Sequence, residues 1–249
     1  MANAYKFPTE VVELPSKGYF YPKGHPLASG RVEVKYMTAK EEDILTSQNL
    51  IEQGIVIDKL LESLIVDKSL EVNDMLVGDK NAIMVASRVL GYGKDYEFTY
   101  EGEEHSVDLS KLEPIEIDFT KHTKGINEFT FELPSSKRSL TFKLLTGGDE
   151  KNIALETAAR RKINKEQSFE LTTRLKAMLL SVDGNSTQAY INNFVDNEFL
   201  SQDSLAFRRH LILITPDVDM STTVVDSTGK EMVVSVPVTI RFFWPSAGV

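Results

Sequence analysis

The chain contains no cysteine in its 249 residues. Disulfides, thiolate nucleophiles and zinc–thiolate centres are therefore excluded, while the compartment is left open. Histidine is scarce: His25, His105, His122 and His210 each fall in a different predicted element. No two have the i, i+4 spacing of a helical metal site, and there is no HExxH motif. No apolar run approaches the roughly 18 residues that cross a bilayer. The opening Met1-Ala2-Asn3-Ala4-Tyr5-Lys6-Phe7-Pro8 lacks the apolar core of a signal peptide. A soluble, intracellular protein is the expectation. Positive charge is also short, with 28 Lys and Arg against 37 Asp and Glu, a net charge of -9. Binding nucleic-acid phosphates needs the opposite balance. Two local basic patches, Arg160-Arg161-Lys162 and Arg208-Arg209, read most simply as solvated helix faces.

Recognisable catalytic motifs are missing too. There is no GxSxG elbow, and Gly91-Tyr92-Gly93 follows a helix, so it is not a dinucleotide fingerprint. Leu76-Val77-Gly78-Asp79-Lys80 lacks the first glycine of a phosphate loop. Gly147-Gly148 opens a helix, where amides could meet an anion, but Asp149 and Glu150 beside it repel phosphate. His105 and Asp108 on one strand edge read as a surface polar pair. Carboxylate pairs such as Glu41/Glu42, Glu103/Glu104 and Asp149/Glu150 are too abundant to single out, and at helix starts they have a structural role. No catalytic, cofactor or metal residue is assigned. A hydrolase using an acid pair, gathered with His105 or His210, stays as a distant alternative.

What is present is a globular composition, 41% apolar and 26% charged, and a stretch that occurs twice. Glu13-Leu14-Pro15-Ser16 leads to Val34-Lys35-Tyr36-Met37-Thr38-Ala39-Lys40-Glu41-Glu42. Glu132-Leu133-Pro134-Ser135 leads to Phe142-Lys143-Leu144-Leu145-Thr146-Gly147-Gly148-Asp149-Glu150. Each reads as a turn, a strand with one lysine, and a threonine with an acid three residues on, close to a helix capping box. An internal duplication and two unrelated strand-to-helix turns both fit.

The periodicities predict an α+β fold: helical clusters with short antiparallel hairpins. Residues 1–30, dense in Pro, Gly and aromatics, are expected to form an extended N-terminal arm. An N-terminal α+β domain is expected over 31–120. It holds a strand from Arg31, helices after Thr38, after Gly54 and after Asn73 or Asp74, a hairpin near 95–109, and a strand through Ile115, Ile117 and Phe119. Residues 121–127 form a boundary. A C-terminal α+β domain follows over 128–249, with two strands, helices at about 149–215 and a terminal β-hairpin. Within it, 169–180 reads as one helix and 232–243 as the last strand, demoted in part to an edge by Pro237. Tyr19, Phe20 and Tyr21 in the arm, and Phe242, Phe243 and Trp244 at the end, are the expected partner-binding residues, because large aromatics need a surface to bury against. Self-packing is the plainer reading of the arm.

Four stretches in order resemble the baseplate hub assembly proteins of T-even-like contractile-tailed bacteriophages. They are Leu14-Pro15-Ser16-Lys17-Gly18-Tyr19-Phe20-Tyr21-Pro22, the run from Val34 to Leu45, Val72-Asn73-Asp74-Met75-Leu76-Val77-Gly78-Asp79, and Leu144-Leu145-Thr146-Gly147-Gly148-Asp149-Glu150. The resemblance covers roughly residues 10–155. It implies a non-enzymatic late protein that acts in the host cytoplasm by binding other hub proteins, either leaving as a chaperone or staying in the virion. The acidic balance and the lack of a spanning apolar run set the expectation of no nucleic-acid or membrane partner, and self-association is left open. Some relatives carry the Cys pairs of a zinc ribbon in the hairpin after Tyr96-Glu97-Phe98. This chain has Thr99-Tyr100-Glu101-Gly102-Glu103-Glu104-His105 there, so metal binding is not carried over.

Overall fold

Two hairpins, each turning at an ELPS sequence, organise the fold. The computed structural model describes residues 8–163, 168–225, 229–238 and 240–243. Strand β1 (Thr9–Glu13) pairs antiparallel with β2 (Arg31–Lys35), from Thr9↔Lys35 to Glu13↔Arg31. The period-2 pattern sends Val32 and Val34 into the core and Arg31 and Glu33 outward. Helix α1 (Ala39–Leu45) begins at Thr38, as its capping pattern predicts. A short α2 (Gln48–Glu52) precedes α3 (Val56–Leu64), whose Val56, Leu60, Leu61 and Leu64 are buried at helical spacing. After α3 the chain runs extended, and Ile65 bridges Val34 antiparallel. Helix α4 (Val77–Tyr92) starts after Leu76, not at Asn73 or Asp74, which belong to a single 3-10 turn.

Strands β3 (Asp95–Tyr100) and β4 (Glu103–Asp108) form the expected hairpin, with Glu101 and Gly102 both at positive φ as a two-residue type I′-like turn requires. The second half repeats the first. Strands β5 (Phe129–Glu132) and β6 (Ser139–Phe142) pair antiparallel, then come α5 (Gly147–Ile163), α6 (Glu170–Met178) and β7 (Leu179–Val182), which adds to β6. Helix α7 (Gln188–Asn193) passes through a π turn into α8 (Ser201–Ile214). Strands β8 (Ser221–Val225) and β9 (Glu231–Ser235) make the terminal hairpin, and α9 (Ile240–Phe243) follows. The fold is α+β, with small antiparallel sheets and helices between them.

The likeness of the two halves extends to individual bonds. In the first, Glu41 accepts from the Thr38 N–H at 2.9 Å, the Thr38 hydroxyl at 2.6 Å and the Lys35 ammonium at 2.7 Å. In the second, Asp149 accepts from the Thr146 N–H at 3.0 Å, its hydroxyl at 3.1 Å and Lys143 at 2.8 Å. Each ELPS turn carries a lysine in the left-handed region, Lys17 at φ 51 and Lys137 at φ 60. Each turn is also held by a fully buried aspartate in the first turn of a distant helix. Asp79 of α4 accepts from the Ser16 N–H at 2.9 Å, and Asp203 of α8 from the Ser135 N–H at 2.7 Å. Both helices start behind an extended leucine, Leu76 (φ -56, ψ 145) and Leu200 (φ -58, ψ 140). Two unrelated strand-to-helix turns would share a capping box, but have no reason to share the distant aspartate and a returning segment that meets the second strand, a single bridge at Ile65 in the first half and β7 in the second. The repeated unit is strand, ELPS turn, strand, capped helix, returning extended segment, locking helix.

Several expectations change. Residues 9–13 of the supposed arm are a paired strand, and Leu14, Phe20, Tyr21 and Leu27 lie in the core. The two halves share one large continuous buried cluster running from Leu14 to Phe243, beside which Leu145, Ile153 and Met178 form a small satellite. Ile115, Ile117 and Phe119 form no strand. Phe119 packs at a tilt against Tyr19, 5.1 Å between ring centres, while Ile115 stays on the surface. The helix read over 169–180 stops at Met178, because the open edge of β6 captures Leu179–Val182 as a strand. The last strand ends at Ser235, before Pro237, which cannot donate to a ladder, and residues 240–243 form α9 instead of continuing it.

Glu41 supplies a test of the first unit. Burial alone raises its pKa, but the donors Lys35, Thr38 and Ser63 together outweigh that and bring it down to about 2 from 4.5. A depressed carboxylate stabilises the fold above its unfolded pKa and loses that contribution as pH falls through the folded one. Glu41→Gln should therefore cost roughly 2–3 kcal/mol at neutral pH. The deficit should shrink between pH 4.5 and 2, as urea melts of both proteins across that window will report.

Candidate binding groove

Helix α4 reads as apolar on most sides, but the structure uses its faces differently. Ile83 and Ser87 are turned into the core, at 0% and 1% exposure. Ala82, Val85, Ala86, Val89 and Leu90, at i, i+3, i+4, i+7 and i+8, instead form the floor of a groove of about 440 Å³. One wall is β1, whose four consecutive residues Glu10, Val11, Val12 and Glu13 all line it, as a strand seen edge-on would. The opposite wall is Leu109, Ser110, Leu112 and Pro114, with Val218 at the end. That wall is fixed in place: Pro114 bridges Val218, and the Ile115 N–H donates to Asp217 O at 2.8 Å.

Strand β1 pairs only with β2, so its outer edge has no strand partner among the described residues. An unpaired edge presents backbone N–H and C=O groups that an added strand would satisfy, and the aliphatic floor offers contact for its alternate side chains. Val11 is 56% exposed at this edge. The polar side chains of the groove are the Ser110 hydroxyl and the Glu10 and Glu13 carboxylates at its rim, Glu13 being paired with Arg31 at 2.9 Å. Such a lining suits an extended apolar segment with basic flanks.

A larger depression of about 720 Å³ lies on the other side of β2, between Thr9, Glu33, Lys35, Lys40, Ser63 and Lys68. Its lysines are largely committed. Lys35 pairs with Glu41, and the Lys68 ammonium donates to the carbonyls of Glu62, Ser63 and Ile65 near the end of α3. The groove is the better-built surface.

The residues expected to bind partners lie elsewhere. Phe20 and Tyr21 are buried, at 1% and 6% exposure, and Tyr19 is partly covered. Tyr19 and Phe20 bind the halves together. The Tyr19 hydroxyl donates to His122 O at 3.0 Å, and Phe20 meets Phe129 edge-on at 5.2 Å. Tyr21 donates to Asp79 at 2.6 Å. Phe242 and Phe243 are fully buried, Phe242 edge-on to Tyr96 at 4.9 Å. These five side chains serve the protein's own core, which corrects the expectation. Trp244 lies outside the described residues.

The histidines are dispersed among aromatic rings. His25 stacks on Tyr21 at 5.3 Å, and His105 lies against Phe98 at 5.8 Å. His122 sits edge-on to Phe129 at 5.3 Å, and His210 stacks on Phe131 at 4.6 Å. Burial pushes the pKa of His122 and His210 down. Among the described residues, no group of three His, Asp or Glu side chains is placed to hold a metal ion.

The groove residues escape sequence reasoning because α4 reads as a helix buried on most sides. The only signal was the alanine pair Ala82 and Ala86, small residues at i and i+4 where a helix leaves room beside it. No helix among the described residues is long and apolar enough to cross a membrane. Compared with protein-family models, curated proteins and solved structures, the chain matches none.

Proposed function

We propose that this protein is a non-enzymatic assembly factor for the hub of a contractile-tail baseplate, working in the host cytoplasm by binding other hub proteins. The observation that carries the reading is the α4–β1 groove: aliphatic floor, free strand edge and acidic rim. That combination suits capture of an extended protein segment, whereas a reaction centre gathers converging polar groups. The baseplate context comes from the ordered motifs between Leu14 and Glu150 that resemble that phage family. Three of those motifs do structural work here, the first and third through the Ser16–Asp79 lock and the last through the Thr146–Asp149 cap.

The test is affinity capture from infected cells, with mass spectrometry of the captured proteins and of washed mature particles. Hub proteins should be enriched with the wild-type chain. Ala86→Trp, which fills the groove, should reduce that capture by at least about tenfold with little change in thermal stability. Val11→Glu, at an exposed position, gives the same comparison should the tryptophan disturb packing. Hub proteins captured in wild-type amounts by both variants would remove the groove reading. The chain found stoichiometrically in washed particles would replace the transient role with that of a retained baseplate component.

A further inference from the structure

Helix α8 has a second surface that the groove does not explain. Its inward side is well used: Phe207 and Ile214 are buried, and Asp203 locks the Ser135 turn. Its outward residues are Ser201, Gln202, Leu205, Arg208, Arg209, Ile212 and Leu213, all exposed and confined to an arc of about 140° at 100° per residue. Three are large aliphatics, with Leu205 at 42%, Ile212 at 68% and Leu213 at 72% exposure. Leu205, Arg209 and Ile212 follow the i, i+4, i+7 spacing with which one helix meets another. Among the described residues neither Arg208 nor Arg209 makes an ion pair, and the arc contains no acidic residue.

We infer that this face docks an acidic amphipathic helix from a partner protein. The charge pattern selects that occupant. Arg208 borders the aliphatic stripe and Arg209 lies within it, neither in an ion pair among the described residues, on a protein whose net charge is -9, so the stripe is a place where an acidic partner is attracted instead of repelled. A second copy meeting face to face would set Arg208 and Arg209 against themselves, a like-charge contact that opposes pairing. An anionic bilayer would meet the repulsion of the whole acidic body, and three aliphatic side chains offer little insertion against it. Opposed carboxylates on a helix with a leucine stripe would satisfy both guanidinium groups and cover Leu205, Ile212 and Leu213 together.

The experiment uses the full chain and two fluorescent synthetic helical peptides with the same leucine stripe, one flanked by glutamates and one by lysines. Fluorescence anisotropy should show the glutamate peptide bound at least about tenfold more tightly than the lysine peptide, with affinity falling as salt is raised. Arg208→Glu with Arg209→Glu should invert that preference. Ile212→Ser with Leu213→Ser should weaken the glutamate peptide by about tenfold or more. Both pairs are solvent-facing, so circular dichroism melts should match wild type. Gln at both arginines, abolishing the preference without inverting it, would further support the assignment. Equal affinity for the two peptides, or no binding of either, overturns it. So does self-association in sedimentation velocity that Ile212→Glu abolishes, which assigns the face to a second copy. Flotation with phosphatidylglycerol-containing vesicles, lost in the double arginine variant, overturns it in favour of a lipid surface.

Discussion

Asp79→Ala should destabilise the protein by about 4 kcal/mol, lowering the thermal midpoint by roughly 8–16 °C for a chain of this size. The carboxylate is fully buried and accepts three hydrogen bonds: the Ser16 N–H at 2.9 Å, the Ser16 hydroxyl at 2.7 Å and the Tyr21 hydroxyl at 2.6 Å. Alanine leaves all three donors buried without an acceptor, and each such orphan costs about 1–3 kcal/mol. The consequences reach further, because the Tyr21 oxygen also accepts the Leu76 N–H at 2.8 Å at the entry to α4. Asp79→Asn is a milder change that separates geometry from charge. Burial raises the pKa of Asp79 despite its donors. Unfolding therefore releases this proton first as pH rises, so ionisation of Asp79 lowers stability from the unfolded value of 3.8 up through the folded one. Asparagine does not ionise, so its deficit relative to wild type should be largest in acid and narrow toward neutrality. Denaturant melts of the two proteins at both pH values measure that difference. A deficit growing with pH would contradict the burial argument.

Gly78→Ala should cost at least about 3 kcal/mol, although it adds one methyl group to a helix and alanine is the better helix former. A Cβ at this position would lie 1.9 Å from the Pro216 carbonyl oxygen and 2.6 Å from Asp217 Cα. These are backbone atoms of the segment that crosses α4, so no side-chain rotation relieves the overlap. Moving that segment strains the Asn81–Asp217 hydrogen bond of 3.0 Å and the Ile115–Asp217 bond of 2.8 Å, the tie that holds the far wall of the groove. Gly91→Ala is the control on the same helix. Its Cβ would meet the Met37 sulfur at 2.7 Å, the end of a flexible side chain that can swing aside. Its effect should stay within about 1 kcal/mol of wild type. Comparable thermal midpoints for the two alanine variants would show that the crossing segment yields more easily than its packing implies.

Local features of the fold were legible because local forces build them. Thr38 with Glu41 and Thr146 with Asp149 cap their helices as their spacing predicts. The alternation of β2 and the hairpin at Glu101-Gly102 likewise follow from side-chain period and turn chemistry. The apolar run from Leu179 to Val182 has no period of its own, so only the neighbouring edge of β6 decides that it is a strand. The aromatic segments failed for a related reason. Hydrophobicity at Phe20 or Phe242 demands cover, but it does not say whether that cover is a partner or another part of the same chain.

The repeated ELPS stretch shows where the division lies. By itself the sequence determined two turns, two strands each ending at or just before a lysine, and two capped helices, since each is specified within a few residues by φ preference, alternation and capping chemistry. Tertiary structure alone decided that Asp79 and Asp203 lock those turns, from 63 and 68 residues away. It also decided that one face of α4 remains open as a groove, and that α8 turns Leu205, Ile212 and Leu213 outward. The physical reason is common to all three. A buried carboxylate needs donors and an apolar face needs cover, but which distant segment supplies them depends on how the whole chain packs, a property no local pattern encodes.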